Sequence, residues 1–189
     1  SSRPWGQGSD KKRSSSMDEH TPSGKYRLRV KLWEGSRPVV WRGVAEDSDD
    51  PVVVKQPIDQ KDADRIRNEA ATGERLRGLP GVREVLGLEE GARGPALRLA
   101  WVDGETLTQW REERTPSLME RLAMAESVAR TLAGVHDRGV VHRDLGASNL
   151  LVEKRGDVQL IDLGLATARK RAQVDLSGAA DLTGTLRYM

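Results

Sequence analysis

The stretch that decides the fold reads HRDLGASN at residues 142–149, and DLG at residues 162–164 follows it. Two short apolar runs, residues 150–153 and 158–161, separate these polar motifs. Runs of this length and composition predict short strands. We therefore expect each polar motif to be held at the end of a strand, where the oxygen atoms of both motifs can converge.

The residue types in these motifs suit the transfer of a phosphoryl group from ATP. This reaction needs a carboxylate that orients the acceptor hydroxyl and receives its proton, and it needs oxygen ligands for Mg²⁺ at the β- and γ-phosphates. Asp144 suits the first task, and Asn149 and Asp162 suit the second. A surface turn and an isolated strand-end Asp are the simpler alternative, but the pairing of the two motifs favours catalysis.

The composition argues against several other classes of function. Among 189 residues, 31 Lys and Arg stand against 29 Asp and Glu, so the net charge of +2 gives no case for an obligatory nucleic-acid or membrane-surface partner. The absence of Cys excludes disulfides and thiolate metal sites, and it fits a reducing compartment, which we expect to be the cytoplasm. No apolar run approaches the roughly 20 residues that cross a bilayer.

The order of predicted elements indicates an α+β protein with two structured parts. The polar residues 1–24 are predicted to be a disordered tail or tag, with Met17 as an alternative start. A β-rich part is predicted to follow over residues 25–102, and a more helical part over residues 103–189. The predicted strands are residues 26–32, 38–44, 51–56, 82–88, 96–102, 140–141, 150–153 and 158–161, and the predicted helices are residues 62–77, 107–113 and 117–136.

Lys55 lies at the end of an apolar predicted strand. A buried Lys without a partner is unfavourable, so we expect Lys55 to meet an anion. The phosphate groups of a nucleotide are one candidate for this anion, and a carboxylate of the following helix is another. Glu69 and Glu74 both lie on that helix, and the residue pattern leaves the choice between them open.

In this order, the motifs resemble those of Hanks-type protein kinases, most of all the bacterial serine/threonine kinases. The resemblance covers residues 26–189 and implies a bilobal fold, with a β-rich N-lobe that has one main helix and the first part of a mainly α C-lobe. The Ala-Pro-Glu motif that should follow Met189 is absent. We therefore expect a truncated C-lobe, further domains in a longer parent protein, and weak or no activity in this chain alone.

The resemblance implies ATP and Mg²⁺ as cofactors and a protein as substrate. By resemblance, Asp144 is the catalytic base, and Asn149 and Asp162 hold Mg²⁺. Lys55 binds the α- and β-phosphates and pairs with Glu69, since Pro80 and Gly81 follow Glu69 at the spacing typical of the family. The other expected contacts to the nucleotide are Gly35, Val40, Val53, Ala100, Val102 and Leu151.

The sequence departs from the family pattern at two places that concern phosphate binding. Trp33 and Pro38 stand where the phosphate-covering loop has Gly, and Pro has no backbone N–H to donate. Gly146 stands where serine/threonine kinases usually carry a Lys that neutralises the γ-phosphate. Because of these changes, a pseudokinase, which binds nucleotide without transferring phosphate, is an alternative to an active kinase.

A small-molecule phosphotransferase of the aminoglycoside-kinase type is a further alternative, since those enzymes often have Gly at the place of Gly146. Arg143 and the ending at residues 184–189 argue against it: by resemblance, Arg143 faces a phosphate on an activation segment, and residues 184–189 are the closing part of that segment. That segment is expected to run over residues 162–189. Its hydroxyl residues are Ser177, Thr183 and Thr185, of which Thr183 is the favoured phosphorylation site.

Overall fold

The computed structural model describes residues 25–33, 38–91 and 94–168 of the chain. The chain divides into two compact units. The first contains the chain up to Arg67 together with Val85–Trp101, and the second contains Asn68–Glu84 together with the chain from Val102 onward. Gly35 and the hydroxyl residues Ser177, Thr183 and Thr185 lie outside the described residues.

An antiparallel sheet forms the first unit. In spatial order, its strands are β1 (Tyr26–Trp33), β2 (Val39–Ala45), β3 (Pro51–Gln56), β5 (Gly94–Ala100) and β4 (Val85–Gly91). The central strand β3 is apolar except at its ends and is buried over Val52, Val53 and Val54. Such a strand forms because β-branched residues pack well on both faces of a sheet.

Helix α1 (Gln60–Arg75) begins with an acidic first turn. The backbone N–H of Asp62 donates to the side chain of Asp59 at 2.8 Å, which satisfies one of the free amides at the start of the helix. After the helix, Gly78 and Gly81 adopt positive φ angles of 72° and 79°, a conformation that favours Gly. These two glycines allow the chain to turn away from the helix.

The second unit combines two helices with short strands. Its elements are β6 (Gly104–Thr106), α2 (Leu107–Glu113), α3 (Leu118–Asp137), β7 (Val140–Val141), a 3₁₀ turn (Ala147–Asn149), β8 (Leu150–Glu153), β9 (Val158–Leu160) and β10 (Thr167–Ala168). Thr106 with Gln109 and Ser117 with Glu120 form capping boxes, which define where α2 and α3 begin. The strands pair in the order β6-β8-β9, and β7 pairs with β10.

Apolar residues recur along α3 at steps of three and four and predict a stripe that packs on a core, but this stripe does so over only part of its length. Val135 is buried in the core of the second unit, and Val128 and Leu132 pack against that core. By contrast, Leu118 and Leu122 are 69% and 53% exposed. The prediction that the whole stripe is buried is therefore wrong for the first two turns, since the core cluster of the described residues reaches α3 only from Met124 onward.

The strand predicted over residues 82–88 begins three residues later, as β4. Val82 instead forms a parallel bridge to Leu160, and the backbone N–H of Arg83 donates to the carbonyl of Leu160 at 3.0 Å. Val82 and Arg83 therefore bond to a strand of their own unit, the second, and not to the sheet of the first unit. The predicted helix over residues 62–77 and strand over residues 96–102 are each shifted by two residues, and β6, β10 and the 3₁₀ turn were not predicted.

A glycine in β2 tests the packing of the first sheet. A Cβ atom at Gly43 would lie 2.6 Å from the carbonyl oxygen of Arg27, so we expect Gly43→Ala to lower the free energy of unfolding by about 1–3 kcal/mol. Gly87→Ala is the matched control, because its nearest new contact is the flexible side chain of Arg98 at 3.4 Å. Urea denaturation measures both. Equal destabilisation by the two variants would contradict the close approach at Gly43.

Candidate active site

The antiparallel hairpin of β8 and β9 brings the two polar motifs together. Leu150 pairs with Leu160, and beyond this pair the backbone N–H of Ile161 donates to the carbonyl of Asn149 at 2.9 Å. Asn149 precedes β8 and Asp162 follows β9 closely. The two residues predicted as metal ligands therefore lie at the same end of the hairpin.

Asn149 is bonded directly to Asp144. The Asn149 Nδ2 atom donates to the backbone carbonyl of Asp144 at 2.8 Å and to its carboxylate Oδ2 at 3.1 Å. Both side chains are buried. Because the amide nitrogen is used in these bonds, Asn149 is left with its oxygen atom Oδ1 as an acceptor or ligand.

His142 connects the start of the loop at residues 142–149 to the end of β9. It is 2% exposed, and its Nδ1 atom accepts a hydrogen bond from the backbone N–H of Asp144 at 3.3 Å. Its Nε2 atom lies 3.3 Å from the carbonyl of Ile161. An accepting Nδ1 places the proton on Nε2, which then donates to Ile161. Burial lowers the pKa of His142, and the nearby Asp162, Asp144 and Glu69 only partly oppose this shift.

Two residues of the motifs adopt backbone conformations that favour glycine. The φ angles of Arg143 and Asp162 are 66° and 64°. Such angles cost about 1–3 kcal/mol each and persist only where the surrounding structure enforces them. Strain of this kind clusters at functional sites, and here it lies next to Asp144 and at Asp162 itself.

Asn68 holds the segment that follows Asp162. Its Nδ2 atom donates to three backbone carbonyls, those of Leu163, Gly164 and Ala166, at 3.5, 3.1 and 2.8 Å. Leu163 is buried in the core of the second unit. Sequence reasoning missed Asn68, although a polar amide directly beside Glu69 on a helix was a signal that could have been followed.

The structure separates the two candidate carboxylates of helix α1. Glu69 is 3% exposed and acts electrostatically on His142 within the second unit. The side chain of Glu74 is 54% exposed and forms an ion pair with Arg77. Of these two glutamates, Glu69 is thus the buried one, while its pairing with Lys55 stays a prediction.

The first unit carries the predicted lysine on one face of its sheet. Lys55 pairs with Val40 of β2, and Val53 lies two residues before it on β3. Because side chains alternate along a strand and face the same side across a pair, these three side chains lie on one face. Lys55 is 7% exposed and Val53 4%.

The remaining predicted nucleotide contacts lie at strand ends or outside the described residues. Ala100 is the last residue of β5, in the first unit, and is partly buried. Val102 and Leu151 are partly buried residues of the second unit. At the predicted phosphate-covering loop, Trp33 ends β1 with 44% of its surface exposed. Gly35 lies outside the described residues, so its role stays a prediction.

The ligand set at the end of the hairpin fits Mg²⁺. Among the described residues, no group of three or more His, Cys, Asp or Glu side chains could hold a metal by itself. Mg²⁺ does not need one, because it is usually bound through one or two carboxylates together with waters and substrate phosphates. The carboxylate of Asp162 and Oδ1 of Asn149 are hard oxygen ligands of this kind.

The sequence matches the family described as protein kinase domain over residues 26–189. The chain belongs to the protein kinase family. Its β-rich first part is therefore that of a kinase domain, as the sequence predicted.

Curated relatives of this kinase domain are bacterial. The chain is 31% identical over 171 residues to "Serine/threonine-protein kinase PknL" of Mycobacterium tuberculosis, covering 87% of this chain and 42% of that protein. It is 32% identical over 180 residues to "Serine/threonine-protein kinase PknA" of the same species, covering 89% and 41%. It is 30% identical over 186 residues to "Probable serine/threonine-protein kinase pknA2" of Bifidobacterium longum, covering 92% and 24%. The chain thus spans well under half the length of these relatives.

Two further observations concern the described part of the kinase domain. No helix in it is both long and apolar enough to span a bilayer. Gly146 is buried, with φ −156° and ψ 161°, an extended conformation that any residue adopts. The backbone therefore does not require glycine at the place where serine/threonine kinases usually carry a Lys.

The buried His142 makes the stability of this kinase domain depend on pH. Because burial lowers the pKa of His142 below its ordinary value of 6.5, the unfolded state takes up the proton first as the pH falls. The contribution of His142 to the free energy of unfolding is fully present above pH 6.5 and is lost as the pH falls below that value. The free energy of unfolding then changes by at most about 1.4 kcal/mol per pH unit. Urea denaturation between about pH 5 and 7.5 measures this slope.

The variant His142→Phe is expected to flatten that slope, since Phe keeps the packing and does not titrate. His136→Gln is the control, because His136 is exposed near the end of α3. An unchanged slope in His142→Phe would show that another group takes up the proton.

Proposed function

We propose that the protein is a serine/threonine kinase that transfers the γ-phosphoryl group of ATP to a hydroxyl group of a protein substrate. The observation that carries this proposal is the bonding of Asp144 to Asn149 at the end of the hairpin that also ends in Asp162. The names of the relatives, which are serine/threonine-protein kinases, support the acceptor class.

Asp144 is proposed to orient the acceptor hydroxyl and to receive its proton. Catalysis of phosphoryl transfer rests almost entirely on positioning and electrostatic stabilisation, so a carboxylate held in one orientation is what the reaction needs. The bond from Asn149 Nδ2 to Asp144 Oδ2 and the bond from the Asp144 N–H to His142 provide that restraint. Asp144 therefore meets the acceptor already in place.

Asn149 and Asp162 would hold Mg²⁺, which neutralises charge on the β- and γ-phosphates when it is bound. The bonds of Asn149 Nδ2 to Asp144 turn Oδ1 away from that carboxylate and fix the orientation of the amide. In the first unit, Lys55 would bind the α- and β-phosphates. Its place on the same face of the sheet as Val40 and Val53, two other predicted nucleotide contacts, supports this role.

A pseudokinase that binds nucleotide without transfer is the second candidate. Gly146 supports it, because a Lys that would neutralise the γ-phosphate is absent there. Trp33 and Pro38, at the place of the phosphate-covering glycines, support it as well. This candidate and the active kinase share the nucleotide site and differ only in turnover.

Loss of the catalytic carboxylate tests turnover. In the protein incubated with radiolabelled ATP and Mg²⁺, Asp144→Asn is expected to lower phosphate incorporation by a factor of about 10²–10⁴ because the base is removed. Lys55→Met is expected to abolish most incorporation through the loss of phosphate binding. Asp157→Asn and Lys154→Met are the matched controls, because they make the same changes at exposed residues of the β8–β9 turn.

Equal incorporation by all variants would contradict the catalytic assignment. If neither the unmodified protein nor any variant incorporates phosphate, but ATP with Mg²⁺ raises the melting temperature, the result supports the pseudokinase instead.

Restoring the missing cation tests whether Gly146 limits the rate. Gly146→Lys is expected to raise kcat by a factor of about ten to one hundred, the effect of one charge-assisted hydrogen bond formed in the transition state. The extended backbone of residue 146 does not itself require glycine. Gly146→Ala is the control, since it adds a side chain without charge. Equal kcat values for the Lys and Ala variants would show that the missing cation is not the limit.

A further inference from the structure

The side chain of Asn68 bonds to the backbone of the segment that follows Asp162. Its Nδ2 atom donates to the carbonyls of Leu163, Gly164 and Ala166 at 3.5, 3.1 and 2.8 Å. An amide nitrogen carries two hydrogens, so at least one of them is shared between two carbonyls. All of these residues belong to the second unit. One side chain of helix α1 therefore restrains three backbone carbonyls that lie 95 to 98 positions away along the chain.

Residues 163–166 form a turn that is anchored in the core. The N–H of Ala166 donates to the carbonyl of Leu163 at 3.0 Å, which closes the turn. The side chains of Leu163 and Ala166 are 3% and 1% exposed and lie in the core of the second unit. Apolar contacts have no preferred direction, whereas hydrogen bonds do. Asn68 therefore adds a directional restraint to the backbone of this turn.

One peptide group of the turn links Asn68 to the carboxylate of Asp162. The carbonyl of Leu163 and the N–H of Gly164 belong to the same planar peptide group. The carbonyl accepts from Asn68 at 3.5 Å, and the N–H donates to Asp162 Oδ1 at 3.4 Å. The shorter bonds of Asn68, to the carbonyls of Gly164 and Ala166, limit the rotation of this group from its other side. The orientation of the Asp162 carboxylate therefore depends on Asn68.

The strained backbone of Asp162 makes such a restraint necessary. Its φ angle of 64° lies in a region that persists only where the surrounding structure enforces it. A residue in this conformation has local alternatives of lower energy, so the loss of a neighbouring restraint redistributes its side chain as well. The turn at residues 163–166 directly follows Asp162 along the chain.

We propose that Asn68 is a positioning residue for the reaction: through the turn at residues 163–166, its amide holds the carboxylate of Asp162 in the orientation that binds Mg²⁺. No sequence motif assigned a role to Asn68. The inference rests on the proposed function, because it takes Asp162 as a ligand of Mg²⁺. Loss of the amide should weaken Mg²⁺ binding, because the affinity falls with the fraction of molecules in which the ligand is in place.

Hydrogen exchange of the nucleotide-free protein tests the restraint itself. Asn68→Leu keeps the approximate volume of the side chain and removes the donor. Peptides that cover residues 162–168 are expected to exchange about five- to tenfold faster in this variant, the effect of losing about one net hydrogen bond. Gln60→Leu is the matched control, because it also replaces an amide by Leu, at an exposed position of α1. Equal exchange of this segment in the two variants would overturn the inference.

A titration of Mg²⁺ at a fixed concentration of ADP, followed by thermal melting, tests the consequence for the metal. The half-saturating Mg²⁺ concentration of Asn68→Leu is expected to be about five- to tenfold higher than that of the unmodified protein. The affinity for ADP in EDTA is expected to change by less than about twofold, because Asp162 acts through the metal. Equal losses of Mg²⁺ and ADP binding would mean that Asn68 only supports the structure, and the inference would be wrong.

Asn68→Ala carries both tests if Asn68→Leu does not fold, since Ala also lacks the amide and favours the helix. Faster exchange of residues 162–168 without a change in the Mg²⁺ requirement would contradict the inference, because the turn would then not position Asp162. Failure of the proposed function has a different signature. In that case, Mg²⁺ with ADP does not stabilise the unmodified protein, and Asp162 loses its role as a metal ligand even where hydrogen exchange shows the restraint by Asn68.

Discussion

The pairing of β8 with β9 is the constraint on which the rest of the second unit depends. In an antiparallel hairpin, the residue that precedes one strand lies beside the residue that follows the other. Here, that rule places Asn149 next to Ile161, and Asp162 one residue further along. Two motifs that are separated by twelve residues along the chain lie together because the ladder has this register.

The contacts around this hairpin convert a flexible loop into a fixed one. Asp144 is restrained by the side chains of both His142 and Asn149, and the strained backbone of Arg143 lies between these restraints. A loop that had to order itself during the reaction would lose the benefit of prior positioning. The local strain, of about 1–3 kcal/mol per residue, is offset by burial and hydrogen bonds in the surrounding core.

The fold of the second unit also brings carboxylates that repel one another close to His142. Phosphoryl transfer by a kinase requires carboxylates that bind metal and accept a proton, and folding buries such carboxylates away from water. Burial lowers the pKa of His142 and so favours its neutral form beside them. The chain keeps the residue types that carry kinase chemistry, while Gly146 stands where serine/threonine kinases usually carry a Lys.

The sequence by itself determined the family and the fold class, because these depend on local motifs and on apolar periods of two or of three to four residues. It also located α2, β3 and β8 correctly. It could not locate the start of β4 or the contacts of Asn68 and Arg83, since these depend on partners about 77 to 98 positions away along the chain. Only the tertiary structure decided them, because hydrogen bonds and buried charges across such separations leave no local pattern.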